Sequence, residues 1–235
     1  MVKPKATAAP KSREIDVWLF DLDNTLYPPS SRLFDQVDRR IKAFVQDFLS
    51  LDLEAAHRLQ KQYFHEFGTT MRGLMTNHGL EPEGYLDYVH EIDLSPIAPA
   101  PALDAALARL PGRKLIFTNA STPYAERVLD RLGIAGHFEA IFDIAAADYE
   151  GKPYPSAYDK LIDRHGIAPE RSVFLDDIAR NLEPAAALGI TTVWVTHDDA
   201  YARAGAEEDH VHHVAEDLVA FLDDLLSGEP AQQVE

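Results

Sequence analysis

Val17-Trp18-Leu19-Phe20-Asp21-Leu22-Asp23-Asn24-Thr25 is the stretch on which the reading of this chain turns. Its first four residues are branched or aromatic and do not alternate with polar ones. A short unbroken apolar run of this kind suits a strand covered on both faces, as in a parallel sheet. Two carboxylates, Asp21 and Asp23, then straddle a single residue where the strand ends. Carboxylates this close repel each other and are costly to bury without a cation. Asp, Asn and Thr are also ordinary turn and helix-cap residues. On its own the stretch therefore admits both a structural and a chemical reading.

Similar apolar runs recur at 114–117, 140–144, 172–175 and 192–195. Between them lie helical patterns over 124–132, 156–165 and 182–188, stopped by Gly133, Gly166 and Gly189. Strand–helix alternation predicts an α/β fold, a doubly wound parallel sheet with its ligand site at the carboxyl ends of the strands. One interval departs from it. Leu33, Val37, Ile41, Phe44, Val45 and Phe48 mark one face of a first helix. Further helices are expected over 53–67, 70–78 and 83–92, and Pro96, Pro99 and Pro101 then form a stiff connector. The expected organisation is an α/β core from residues 14–26 and 101–226, with an inserted α-helical cap domain, 27–100, suspended over the active site. A last amphipathic helix is expected over 215–226. Residues 1–13, with Lys3, Lys5, Lys11 and Arg13 but no apolar run directly after them, read as a disordered tail and not a signal peptide. Residues 227–235 read as a second tail.

Composition narrows the function. The formal charge is −17 and cysteine is absent from all 235 residues. A strongly acidic surface repels phosphate backbones, so a nucleic-acid polymer is not an expected partner. Without cysteine there are no disulfides, thiolate metal sites or cysteine nucleophiles, which suits a reducing cytoplasm. No apolar run approaches a membrane span. A phosphorylated substrate would have to meet a local positive centre, either a metal ion or a few placed cations.

Other strand ends carry suitable groups, the third and last strands excepted. The second is followed by Thr118-Asn119-Ala120-Ser121, a hydroxyl and backbone donors able to hold phosphate oxygens. Gly151-Lys152-Pro153 places a compact positive charge ahead of the fourth strand. That strand ends in Asp176-Asp177, with Asn181 close behind, an acidic pair suited to a hard oxygen-ligated cation such as magnesium. By contrast His210, His212 and His213 look like a metal cluster at first sight, but the alternation His210-Val211-His212 suits an exposed strand edge or loop more than a metal site. Tyr63, Phe64, Phe67, Met71 and Met75 fall at helical spacing and read as core.

Taken in order, Asp21-x-Asp23-x-Thr25, Thr118, Lys152 and Asp176-Asp177 resemble the four motifs of the haloacid dehalogenase superfamily, in its helical-cap subclass. The resemblance covers about residues 16–195. Segments 16–30, 63–75, 118–128 and 176–182 are further similar to the pyrimidine 5′-nucleotidase branch. The resemblance implies a magnesium-dependent (Mg2+) phosphomonoester hydrolase. Asp21 would be the nucleophile, forming an aspartyl-phosphate, and Asp23 the acid–base. Lys152 and Thr118, with Asn119, would hold phosphate oxygens. Asp21, Asp23 through its backbone carbonyl, and Asp176 or Asp177 would hold the metal. Thr25 and Asn181 would support these groups from behind. Tyr27, Thr69, Thr70 and Arg72 are candidates to read the substrate, expected to be a pyrimidine nucleoside monophosphate such as UMP or CMP. A broad metabolite phosphatase, a phosphomutase and a non-catalytic phosphate-binding regulator stay open beside it. So do a monomeric and a homodimeric state.

Overall fold

The computed structural model describes residues 14–227. Both expected tails lie outside these residues, except Ser227, which closes the last helix. The strands are β1 Val17–Phe20, β2 Arg113–Phe117, β3 Ala140–Phe142, β4 Ser172–Asp176, β5 Thr191–Val195 and β6 His213–Ala215. They form one sheet in the order β3-β2-β1-β4-β5-β6, parallel at every pairing. The expected doubly wound sheet is present. β1 sits inside it, with Val17 opposite Arg113 of β2 on one side and Ser172 of β4 on the other.

The unbroken apolar run of β1 follows from this position. Trp18 and Phe20 pack on one face against α5 (Pro101–Arg109), α6 (Thr122–Leu132) and α9 (Leu218–Ser227), as Leu107, Val128 and Leu222 illustrate. Val17 and Leu19 point to the opposite face and pack with Tyr158 and Leu161 of α7 (Pro155–His165) and Leu182 of α8 (Ala179–Ala187). Successive side chains of a strand face opposite ways, so helices on both faces demand apolar residues at every position.

Four helices follow β1: α1 Phe34–Leu49, α2 Leu53–Phe67, α3 Thr70–His78 and α4 Pro82–His90. They share an apolar cluster of their own, including Val45, Ala56, Leu74 and Val89. Asp52 caps α2 by accepting from Ala55 N at 2.8 Å, and Gly68, at φ 72°, ends that helix in a left-handed turn. Phe48 departs from the expected apolar face of α1. It is 41% exposed and stacks on Phe44.

Several expectations need correction. Pro101 is not connector but the first residue of α5, where its missing N–H costs nothing. The last helix begins at Leu218 and not 215, because residues 213–215 pair with β5 as a sixth strand. The histidines before it are tied to the fold. His210 Nε2 lies 3.1 Å from Ala179 O, and Thr192 N donates to His212 Nδ1 at 3.0 Å. The polar group that follows the third strand is taken up by the fold. The strand ends at Phe142, and Asp143 accepts from Thr122 N and Oγ1 at 2.9 and 2.7 Å, capping α6. Among the described residues no helix is long and apolar enough to cross a membrane.

Candidate active site

Asp21, Thr118, Lys152, Asp176 and Asp177 converge at the carboxyl ends of β1, β2 and β4. The ladder carries one step past β1, with Asp21 N donating to Leu175 O at 2.9 Å. This fixes the Asp21 backbone against β4 and brings its carboxylate beside the acidic pair.

Lys152 is the hub. Its Nζ donates to Asp21 Oδ1 at 2.6 Å and to Asp176 Oδ2 at 2.7 Å, and its side chain is 1% exposed. The rings of Phe117 and Phe174 lie 5.2 and 5.3 Å from the ammonium, within cation–π range. Burial alone would push the Lys152 pKa down, but the charges of Asp176 and Asp21 outweigh it and hold it above the ordinary lysine value. Asn119 places this lysine. Its Nδ2 donates to Lys152 O at 2.9 Å and its Oδ1 accepts from Lys152 N at 2.8 Å. The Asn119 side chain is therefore committed to the Lys152 backbone, which leaves its main chain for the expected phosphate contact. Gly151 packs closely beside it, and a Cβ there would lie 2.1 Å from Asn119 Oδ1 and 2.5 Å from Ile144 Cδ1, so those side chains would have to shift. Thr118 is buried at the end of β2, and its Oγ1 accepts from Ala120 N at 3.0 Å.

The two acidic neighbours differ. Asp176 is fully buried and saturated by Lys152, by Ile178 N at 2.8 Å and by Asn181 Nδ2 at 3.0 and 3.1 Å. Asp177 lines the cavity, and its Oδ2 meets only His197 Nε2 at 3.9 Å among ion-pair partners of the described residues. Burial raises both carboxyls, Asp176 to about 6 and Asp177 well above the usual range, the latter reinforced by the charges of Asp21 and Asp176. Asp21, Asp176 and Asp177 each offer an oxygen, all within 4.8 Å of one another. Three buried carboxylates share one lysine, so the cluster is short of positive charge. An all-oxygen anionic donor set of this kind suits a hard divalent cation such as magnesium. Thr25 Oγ1 supports Asp21 from behind, donating to Oδ2 at 3.2 Å.

The Asp23 carboxylate stands apart from that cluster. Its Oδ1 accepts from Tyr27 Oη at 2.5 Å and from Tyr124 Oη at 2.8 Å. Burial lifts its pKa to about 6, against the lowering effect of these hydroxyls. Tyr124 in turn stacks on His90 at 4.5 Å, and His90 Nδ1 lies 2.9 Å from Ser121 Oγ. Burial, with the charge of Arg127, holds His90 down to about 4, so it is neutral at physiological pH.

Above these groups lies a cavity of about 210 Å3. Its floor includes Asp21, Asp23, Thr118, Lys152 and Asp177, and its roof includes Ile41, Gln60, Phe64, Met71 and Val89. Thr69 and Thr70 line it too, though Thr69 Oγ1 caps α3 by accepting from Arg72 N and Thr70 Oγ1 donates to Gln60 O. Tyr27 and Arg72 are not among the lining residues. The Tyr27 hydroxyl is committed to Asp23, and Arg72 pairs with Glu150 at 3.3 Å. Phe64, expected as core, is cavity wall, and Met71 is core as expected while also lining the cavity. Sequence reasoning missed Tyr124 as a partner of Asp23, because 101 residues separate them and no spacing connects them. It also missed Gln60 and His90, whose only signal was their place in the inserted helices.

Comparison with known proteins places this geometry. A family model described as "Hydrolase: haloacid dehalogenase-like hydrolase" matches residues 15–189. Phosphate metabolism protein 8 of Saccharomyces cerevisiae is 28% identical over 192 residues, covering 74% of this chain and 59% of that protein. Glyceraldehyde 3-phosphate phosphatase of Methanocaldococcus jannaschii is 27% identical over 192 residues, covering 74% of this chain and 82% of its own. Phosphoglycolate phosphatase of Escherichia coli is 29% identical over 110 residues, 46% of this chain and 43% of that one. The chain thus spans less than two thirds of the length of the yeast and Escherichia coli proteins. Among solved structures, a predicted phosphatase from Clostridium acetobutylicum superposes with a TM-score of 0.61 at 14% identity, over 91% of this chain and 99% of that one. L-2-haloacid dehalogenase from Xanthobacter autotrophicus does so at 0.55 and 18% identity, over 92% and 100%. At such identities the likeness shows the fold alone. The family match spans β1 to β4, the inserted helices and every core motif, and this chain belongs to the haloacid dehalogenase-like hydrolases.

Proposed function

We propose that the chain is a phosphatase that hydrolyses a small phosphomonoester through an aspartyl-phosphate on Asp21. The observation that carries this reading is Asp23. A carboxyl with a pKa of about 6, in the same cavity as a second carboxylate, is matched to donating and retrieving a proton near neutrality. Displacement of halide needs no acid for the leaving group, and phosphate ester cleavage does.

An oxygen of Asp21 attacks phosphorus and the bond to the ester oxygen breaks. Asp23 gives its proton to that oxygen, and the alcohol leaves. Asp23, now a carboxylate, takes a proton from water as the water oxygen attacks the acyl phosphate. The bond between Asp21 and phosphorus breaks, and inorganic phosphate is released with Asp21 restored. Lys152 orients Asp21 and neutralises charge on the phosphoryl oxygens, and Thr118 with the following backbone supplies donors to them. Asp21 and Asp177, with the Asp23 carbonyl, would hold a magnesium ion, and Asp176 would brace them through Lys152 and Asn181. Bound there, the ion supplies neutralising charge beside the phosphoryl group.

The finer reading is a pyrimidine 5′-nucleotidase. It rests on the similarity of the four segments named above and on the apolar roof, which offers a face for a single flat ring. A second reading, a phosphatase of metabolites without a nucleobase, is favoured by the names of two relatives, phosphoglycolate phosphatase and glyceraldehyde 3-phosphate phosphatase. The small cavity also suits it, being below the ~300–1,000 Å3 usual for drug-sized ligands. The test is kcat/KM for UMP, CMP, AMP, GMP, phosphoglycolate and glyceraldehyde 3-phosphate, with magnesium, with calcium and with chelator. Pyrimidine nucleotides should lead, and only with magnesium. A purine preference, or faster turnover of the base-free phosphates, defeats the finer reading. Undiminished turnover in chelator removes the metal, and no phosphate release from any substrate defeats the phosphatase.

A further inference from the structure

Gln60 is a buried polar residue in a mostly apolar roof. It lies on α2, is 2% exposed and lines the cavity that Asp21 floors. Its Nε2 donates to Asp38 Oδ1 at 2.9 Å and to Asp38 O at 3.3 Å. Lys61 Nζ donates to the same Asp38 Oδ1 at 2.9 Å and holds that carboxylate in place. Thr70 Oγ1 donates to Gln60 O at 3.0 Å, which ties this turn of α2 to the start of α3. The amide therefore has one orientation. Flipping it would set Oε1 against two acceptors, the carbonyl and the carboxylate of Asp38.

That orientation leaves Oε1 unpartnered. Among the described residues it is the buried side-chain polar atom without a hydrogen bond. Buried acceptors are nearly always satisfied, and an orphan in a native protein calls for a specific reason. The floor of the cavity explains only the phosphate end of a substrate. The roof residues Val37, Ile41, Met71 and Val89 offer no hydrogen bonds from their side chains. Gln60 lines the same cavity and carries a buried acceptor without a partner, on an amide held by Asp38, which Lys61 fixes in turn.

We propose that Gln60 determines specificity: its Oε1 accepts a hydrogen bond from an N–H on the leaving group, remote from the phosphoryl group. The substrate class is a phosphomonoester whose alcohol carries such a donor. The ring N3–H of uracil and the amino group of cytosine both fit. This rests on the phosphatase reading and deepens it. It also assigns base recognition to a residue outside the set Tyr27, Thr69, Thr70 and Arg72.

The test compares UMP, 3-methyluridine 5′-monophosphate, in which the N3 donor is blocked, and phenyl phosphate, which has no donor. Each is assayed with the wild type and with Gln60→Met, which keeps the side-chain volume and loses the acceptor. A site built around one hydrogen bond rejects the analogue lacking it strongly. In the wild type the N3-methyl group should lower kcat/KM about tenfold to a hundredfold. Gln60→Met should lower the ratio of kcat/KM for UMP over phenyl phosphate by the same factor and abolish the discrimination against the methylated nucleotide. A purely steric effect of the methyl group would leave the UMP ratio unchanged in Gln60→Met, which overturns the proposal. Equal wild-type rates on UMP and its methylated form overturn it without any variant, so a Gln60→Met protein that fails to fold does not protect it. Cleavage of phenyl phosphate but not UMP overturns the proposal and spares the phosphatase reading. If nothing is cleaved the phosphatase reading falls. The proposal is then judged by calorimetric Kd values of the two nucleotides on Asp21→Asn, where equal affinities overturn it and weaker binding of the methylated form supports it.

Discussion

Replacing Lys152 with methionine isolates what one buried charge contributes. The two side chains are similar in volume, so little cavity is created, and the change is almost wholly electrostatic. Lys152 lies within 2.7 Å of both Asp21 and Asp176, with side chains only 1%, 10% and 0% exposed respectively. Removing one partner from such a group strands the others, at a cost of about 3–5 kcal/mol. For a chain of this length that lowers the melting temperature by roughly 6–20 °C. The pH dependence has a definite sign. Asp176 is raised to about 6 in the folded protein, so the native state holds that proton more tightly than the unfolded chain. Stability therefore falls as pH rises from the ordinary aspartate range through about 6. Without Lys152 the carboxyls lose the charge that lowers their pKa values, and the fall becomes deeper and runs to higher pH. The deficit of Lys152→Met should be small near pH 4 and full above about pH 7. Lys152 stays charged across this window, because its own raised pKa removes its contribution only in strong alkali. Urea unfolding of both proteins in chelator, at several pH values, measures the difference. A deficit that does not change with pH, or one below about 1 kcal/mol near pH 7.5, refutes the charge account.

Asp21→Asn keeps its shape and should fold, yet lose turnover by more than about a thousandfold, since an amide does not attack phosphorus; phosphate release by purified protein within tenfold of wild type refutes it. Tyr27→Phe and Tyr124→Phe each remove a donor to Asp23 Oδ1. Those donors hold the pKa down against burial, so the fall in kcat/KM expected as Asp23 deprotonates around pH 6 should move to higher pH in both variants. A profile that stays put or moves to lower pH would show that Asp23 is not the titrating acid. Gly151→Ala drives a methyl group into Asn119 and Ile144. It should cost about 1–3 kcal/mol in unfolding free energy and displace Lys152, lowering kcat/KM; wild-type values of both would show that the loop yields freely.

Sheet and motifs were legible because one physical demand produced both. A strand covered on two faces must be apolar throughout, so β1, β2, β4 and β5 stood out, and the polar residues ending β1, β2 and β4 marked the site. β6 was hidden because three residues with a histidine at the edge carry no such demand. α5 was hidden because Pro101 reads alike as a linker and as a first helical residue. The inserted helices were visible from their period, but not which side chains they turn toward the core. Phe64 and Gln60 occupy the same helix and the same cavity wall, and nothing local separates them from neighbours that face the cap interior or solvent. The partnership of Tyr124 with Asp23 belongs to the tertiary fold alone.

The inner position of β1 has a consequence for the order in which the molecule assembles. It is the first of the described strands to be made, yet its partners begin at Arg113 and Ser172, the second 155 residues later. At roughly 5–20 residues per second, about 8–30 s separate the synthesis of Val17 from that of its β4 partner. Val-Trp-Leu-Phe, one of the most adhesive segments of the chain, waits with both edges open until β2 is made and with one edge open until β4 follows. The intervening helices contact one another and can settle first as a local unit. The sheet closes only when β4 arrives, and the Asp21–Lys152–Asp176 contact closes with it. An incomplete chain is thus both inert and prone to aggregate, and truncation before residue 172 should yield inclusion bodies and no weakly active fragment.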